Sequence, residues 1–185
     1  MELNGKKVAV LVENFFQELE VWYPLLRLRE AGAEVDTVGP QAGATYTSKL
    51  GYPVKANRAI AEVSAEGYDA AVVPGGWAPD YMRRDPKFVQ FVRDMDAAGK
   101  PIGAICHGGW LLCSAGILKG RRATSFFSIR DDMVNAGANY VDSEAVVDGN
   151  LITSRIPDDL PAFCKAFIAA LASVREPSLA QRGSR

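Results

Sequence analysis

Cys106 and His107, followed by Gly108-Gly109, set a thiol and the only histidine of the chain next to two residues without side chains. The five residues Ile105-Cys106-His107-Gly108-Gly109 follow a short apolar run. They have the form of a nucleophile elbow, in which small neighbours let the backbone bend sharply beneath the residue at its tip. A helix starting behind the elbow would aim unpaired N–H groups and its positive dipole end at the sulfur, so the sequence predicts a lowered thiol pKa. Backbone N–H groups of Gly76 and His107, with Gly75 in the same turn, can face a common point and stabilise an oxyanion. The chemistry expected is attack by sulfur on an electrophile, or oxidation of the sulfur itself.

Each of these residues also has a plainer role open to it. A free cysteine is commonly a small core hydrophobe, and that reading fits Cys113 and Cys164, which lie on apolar helix faces. Cys106 differs because it ends a strand, adjoins the histidine and precedes two glycines. His107 is either the base that serves the thiol, a group that orients substrate, or a surface or capping histidine, since neighbours at an elbow need not face each other. Glu20 is either a solvated carboxylate favoured by the start of a helix or a group turned toward the sheet edge.

The elements that would position these groups alternate along the chain. Residues 7–12, 34–38, 70–73 and 101–105 are short apolar runs that read as buried parallel strands. Helices are expected over 18–31, with Leu19, Trp22, Leu25, Leu26 and Arg29 at helical spacing, over 86–98, with Phe88, Val89, Phe91 and Val92 inward, and over 108–115. A short helix follows over 129–135. Residues 43–55 read as a hairpin, and Asp148-Gly149 turns between antiparallel strands at 141–147 and 150–154. Asp158 or Asp159 would cap a last helix running through Leu171. This pattern predicts a mainly parallel sheet with helices on both faces, as a single domain over 1–174, and a poorly ordered polar tail over 175–185. In such sheets function sits at the carboxyl ends of the strands, here 13–20, Gly75-Gly76 and the elbow.

Composition narrows the class. With 185 residues, 48% hydrophobic and 23% charged, the chain is of ordinary globular make-up. A net charge of −1 supplies no field to recruit nucleic acid or an anionic membrane. No apolar run approaches a membrane span, and the polar start lacks a secretory signal, so the expectation is a cytoplasmic protein with reduced thiols. Three scattered cysteines and one histidine show neither a disulfide framework nor metal-ligand spacing, and no cofactor is expected.

Over about residues 6–172 the chain resembles the PfpI branch of the ThiJ/PfpI superfamily. The resemblance is carried by Glu18-Leu19-Glu20 with Tyr23-Pro24, Val73-Pro74-Gly75-Gly76, Ala104-Ile105-Cys106-His107-Gly108, the runs 131–137 and 147–150, and Ser154-Arg155-Ile156-Pro157. It implies a flavodoxin-like three-layer sandwich, with Cys106 as nucleophile and Glu20 as a protonated carboxyl hydrogen-bonded to it. It also implies a homo-oligomer, dimer or higher, in which an acid from a neighbouring subunit reaches His107. Asp80 matches that acid, one methylene shorter than the Glu of family members. Gln17 stands where close relatives often have a second pocket carboxylate, and Phe126 where they often have Tyr. The pocket, rimmed also by Trp77 and Trp110 unless these are packing residues, is therefore expected to be more apolar. Three activities follow from the resemblance: glyoxalase or deglycase chemistry on small carbonyls or glycation adducts, which the apolar pocket favours; peptide hydrolysis by a Cys-His-acid triad across an interface; and non-enzymatic sensing of oxidants, or chaperone action, through Cys106. Class I glutamine amidotransferases share the elbow but need a second, distant histidine, which this chain lacks.

Overall fold

The computed structural model describes residues 1–174; the tail expected over 175–185 lies outside the described residues. In chain order the elements are β1 (Lys7–Leu11), α1 (Glu18–Glu30), β2 (Glu34–Gly39), β3 (Thr45–Thr47), β4 (Pro53–Lys55), β5 (Arg58–Ala59), β6 (Ala70–Val73), α2 (Ala78–Met82), α3 (Pro86–Ala97), β7 (Ile102–Ile105), α4 (Gly109–Ala115), β8 (Arg122–Ala123), α5 (Arg130–Asn135), β9 (Asn139–Tyr140), β10 (Ala145–Asp148), β11 (Leu151–Ser154) and α6 (Leu160–Ser173).

The main sheet has the order β10-β11-β7-β6-β1-β2-β5 and is parallel except for β10, which pairs antiparallel with β11 across the Asp148-Gly149 turn. Strands β6 and β7 are buried along their whole length, because helices cover both faces: α1 with α6 on one, α3 with α4 on the other. This is the flavodoxin-like arrangement, and it stacks β1, β6 and β7 side by side, so that their carboxyl ends share one edge. Gly103 of β7 has no room for a side chain, since a Cβ there would stand 2.7 Å from Cζ of Phe163 and 2.8 Å from Cδ2 of Phe167. The close seat of α6 on β7 fixes the strand that carries the elbow. Among the described residues no helix is long and apolar enough to cross a membrane.

Four local expectations change. In α1 the buried stripe is Glu20, Val21, Pro24, Leu25 and Leu28, while Leu19 and Leu26 are 53% and 56% exposed. The helix is therefore rotated from the predicted face, and it turns Glu20 into the core. The strand expected over 141–147 begins only at Ala145, since residues 141–144 lie outside any strand, and β9, just before them, pairs with β8. Asp159 stands at the start of α6 without capping it, because Arg155 takes its carboxylate through Nε at 2.8 Å. Short β5 and α2 had no distinct signal, being too brief for a period to show.

Candidate active site

β7 ends in extended backbone at Ile105, and Cys106 then adopts φ +60°, a left-handed conformation uncommon for a residue with a side chain. A single tight turn, Cys106–Gly108, leads straight into α4. The turn closes only because Gly108 is bare: a Cβ there would lie 2.7 Å from the carbonyl oxygen of Val73. The strained backbone holds the Cys106 sulfur, largely buried, at the carboxyl edge of the sheet.

Three groups converge on that sulfur. The backbone N–H groups of Gly76 and His107 face it and favour its charged form. Gly76 reaches it with φ +73°, its Cα pressed so close to the 15–17 loop that a Cβ would meet the carbonyl oxygen of Phe15 at 2.4 Å. His107 places Nδ1 3.2 Å from Sγ, so the adjacent histidine does face the thiol. The third group is Glu20, which is 0% exposed and interacts directly with the thiol. Its Oε2 accepts the Gly75 N–H at 2.8 Å, while Oε1 is buried with no hydrogen-bond partner. Gly75 therefore holds the carboxyl, and its N–H is not free for an oxyanion.

The electrostatics correct the predicted low thiol pKa. Burial, and after it the negative charge of Glu20, push Cys106 up to about 12 against the pull of the two N–H donors. A helix of seven residues does not offset that desolvation. Burial likewise raises Glu20 to about 7, against the Gly75 N–H. The carboxyl and the thiol behave as one unit. Ionised Glu20 keeps the proton on sulfur; acidic Glu20 removes that repulsion and turns an O–H donor toward a thiolate.

His107 is clamped. Its ring stacks on Phe126 at 5.0 Å and meets Trp110 edge-on at 5.0 Å, while Nε2 lies 3.3 Å from Oγ of Ser128. Burial and the positive charge of Lys49 lower its pKa, which keeps the ring neutral and able to accept a proton. Trp110 is itself anchored by Nε1–H donating to Asp132 at 2.9 Å. Phe126 and Trp110 thus both pack and line the site. Trp77, 59% exposed, sits at its rim beside Phe15, whose φ is +62°.

Gln17 sits elsewhere than the sequence suggested. Gln17 caps α1, its side chain accepting the Glu20 N–H at 3.0 Å, so it fixes the helix start that carries Glu20. Asp80 pairs with Arg84, one turn along, and makes no contact with His107 within the chain. Sequence reasoning missed Ser128, Phe15 and Lys49. Phe15 and Lys49 lie in turns and Ser128 in a single 3-10 turn, and no spacing rule links any of them to the elbow.

A buried thiol on a nucleophile elbow, faced by a buried carboxyl and a neutral histidine, defines a cysteine-centred α/β protein. The chain belongs to the DJ-1/PfpI family, which it matches over residues 6–170. It is 46% identical over 165 residues to a protein named as a deglycase from Pyrococcus horikoshii, covering 89% of this chain and 99% of that one. It is 47% identical over 161 residues to a protein/nucleic acid deglycase of Escherichia coli, covering 86% and 94%. Among solved structures, DJ-1beta of Drosophila melanogaster superposes with a TM-score of 0.85 at 29% identity, covering 91% of each chain.

Proposed function

We propose that this chain is a cysteine-dependent enzyme acting on small carbonyl compounds or glycation adducts, as a glyoxalase or deglycase. The observation that carries the reading is the placement of one sulfur against a proton acceptor, His107 Nδ1 at 3.2 Å, and a buried carboxyl of pKa about 7. Sγ adds to the aldehyde carbon, the thiol proton passes to His107, and the carbonyl oxygen takes a proton from Glu20 to give a hemithioacetal. Moving the carbon-bound proton to the neighbouring carbonyl carbon, with its oxygen gaining a proton and the first oxygen losing one, converts the hemithioacetal to a thioester. Water then cleaves the C–S bond, releases the hydroxy acid and restores the thiol. A carboxyl that titrates near neutrality can give and take protons in the same cycle.

The names carried by the two deglycase relatives support this reading. Peptide hydrolysis by a triad across an interface needs an acid from a second copy on Nε2 of His107, a nitrogen that already meets Ser128 within this chain. Sensing of peroxide needs a ready thiolate, which the raised pKa of Cys106 disfavours. The proposal takes residues 1–174 as one domain of a cytoplasmic homo-oligomer. Its test is lactate formation from methylglyoxal by the wild type and Cys106→Ser. Turnover that depends on Cys106 supports it, and its absence overturns it.

A further inference from the structure

We propose that a cavity of about 410 Å³ beside the elbow, between Arg130 and Arg155, is a subsite for a carboxylate or phosphate carried by the carbonyl substrate. The identity of the rest of the ligand rests on the carbonyl reading above; the anion site does not.

The sheet register puts the cavity next to the thiol. Ser154 of β11 pairs with Ile105 of β7, so Arg155 and Cys106 are the first residues to leave two adjacent parallel strands. Their backbones are therefore about 4.8 Å apart where they leave the sheet. On the other side the Phe126 N–H donates to the Cys106 carbonyl at 3.2 Å. Phe126 stacks on His107 and also touches Phe127 at 4.6 Å between ring centres. Phe127, 76% exposed, is a wall of the cavity, which thus opens one aromatic ring away from the catalytic imidazole.

The two guanidinium groups differ. Arg155 is held rigid, with Nε and Nη2 on the two oxygens of Asp159 at 2.8 and 3.1 Å and Nη1 on Asp142 at 2.7 Å. Three of its five N–H donors are used, and one each on Nη1 and Nη2 remains. Arg130 has no carboxylate or hydrogen-bond partner among the described residues. Its guanidinium lies over the ring of Tyr140, 5.4 Å from the centre, and Tyr140 is fixed by its O–H donating to the Ser125 carbonyl at 2.9 Å. A planar cation laid on an anchored ring and left unpaired over a cavity is suited to a two-oxygen or three-oxygen anion. Two carboxylates oppose an anion here: Asp159, buried and taken up by Arg155, and Asp142. Asp142 is 77% exposed and tied only by Nη1 of Arg155, so an anion meets it as a removable obstacle.

The test compares alkylation of Cys106 by iodoacetate and by iodoacetamide, each transferring its carbon to sulfur with loss of iodide, read by mass on the peptide that contains Cys106. The ratio of the two rates cancels the shared reactivity of the thiol. Arg130→Gln should lower the iodoacetate-to-iodoacetamide ratio about three- to fivefold, the reach of one exposed ion pair, and Asp142→Asn should raise it. Inorganic phosphate should slow the reaction with iodoacetate and spare that with iodoacetamide. Ratios unchanged in both variants overturn the proposal, whether or not methylglyoxal is turned over. If Cys106 reacts with neither reagent, the carbonyl reading fails, and the site is judged by phosphate alone: a saturable rise in Tm that Arg130→Gln abolishes supports an anion site, and its absence refutes it. Phosphate binding without any effect on iodoacetate also refutes it, since the anion would then lie off the path to the sulfur.

Discussion

Glu20→Gln isolates the buried carboxyl, because the amide keeps the shape and can still accept the Gly75 N–H. In the folded chain burial raises Glu20 from 4.5 to about 7, so between those values the unfolded chain has lost a proton that the folded chain keeps. The contribution to stability is therefore complete below 4.5 and falls as pH rises through about 7. At 1.36 kcal/mol for each tenfold change in proton affinity, the loss is about 3 kcal/mol, and Glu20 is fully buried, so solvent screening removes little of it. Urea denaturation of both proteins, from below 4.5 to above 7, should give a wild-type stability that declines against the variant by about 3 kcal/mol. The thiolate absorbance should meanwhile appear at lower pH in the variant, because the charge opposing it is gone. Burial, the larger cause, remains, so the thiol still titrates above its ordinary value. Stability curves that stay parallel within about 1 kcal/mol would refute the claim that a buried, titrating carboxyl faces the sulfur.

Two further substitutions probe the frame around the pair. Gly75→Ala puts a methyl group 2.5 Å from Glu20 Oε2, 2.7 Å from Cys106 Cβ and 2.9 Å from the His107 nitrogen, none of which can yield without moving the site. It should cost about 2 kcal/mol in urea melts and reduce lactate formation about a hundredfold; near-wild-type turnover would show that this geometry is not needed. Ser128→Ala removes the group that meets His107 Nε2 and should lower kcat about threefold, with a shifted pH profile that Ser128→Thr restores. An unchanged profile in Ser128→Ala would mean that the hydroxyl does not set the state of the imidazole.

The central strands were legible because they are short apolar runs bounded by glycine, proline or charge, and burial on both faces leaves them no polar alternation to confuse. The elbow was legible for a related reason: the tight turn after a left-handed cysteine needs bare backbone, which Gly108 supplies, while bare Gly109 makes room for Met133 and Ile129. The face of α1 was misread, since Leu19, Trp22 and Leu26 look like a core stripe while Glu20 looks like a surface residue. A composition-based stripe assumes that carboxylates point to water, and that assumption fails for Glu20, which is buried against the Gly75 N–H and the thiol. The thiol pKa was misread from the same cause. The dipole of a helix can be read off a sequence, but the depth at which its first residue is buried cannot.

One turn ties these corrections together. Gly75 gives its N–H to Glu20 and the next residue, Gly76, turns its N–H toward the Cys106 sulfur. Consecutive peptides at the end of β6 thus set both members of the pair, one held by α1 and the other by β7. Neither group can move relative to the other without losing a contact with the same dipeptide. In the proposed reaction the thiol proton goes to His107 while Glu20 protonates the carbonyl oxygen, and that division needs such constancy more than it needs a low thiol pKa. At fixed separation the thiol can give its proton to His107 and the carboxyl its own to the substrate oxygen once substrate excludes water, whereas an exposed thiolate would be quenched by any passing electrophile. For the proposed reaction, the burial that raises both pKa values is a condition, with substrate-coupled loss of the thiol proton as its consequence.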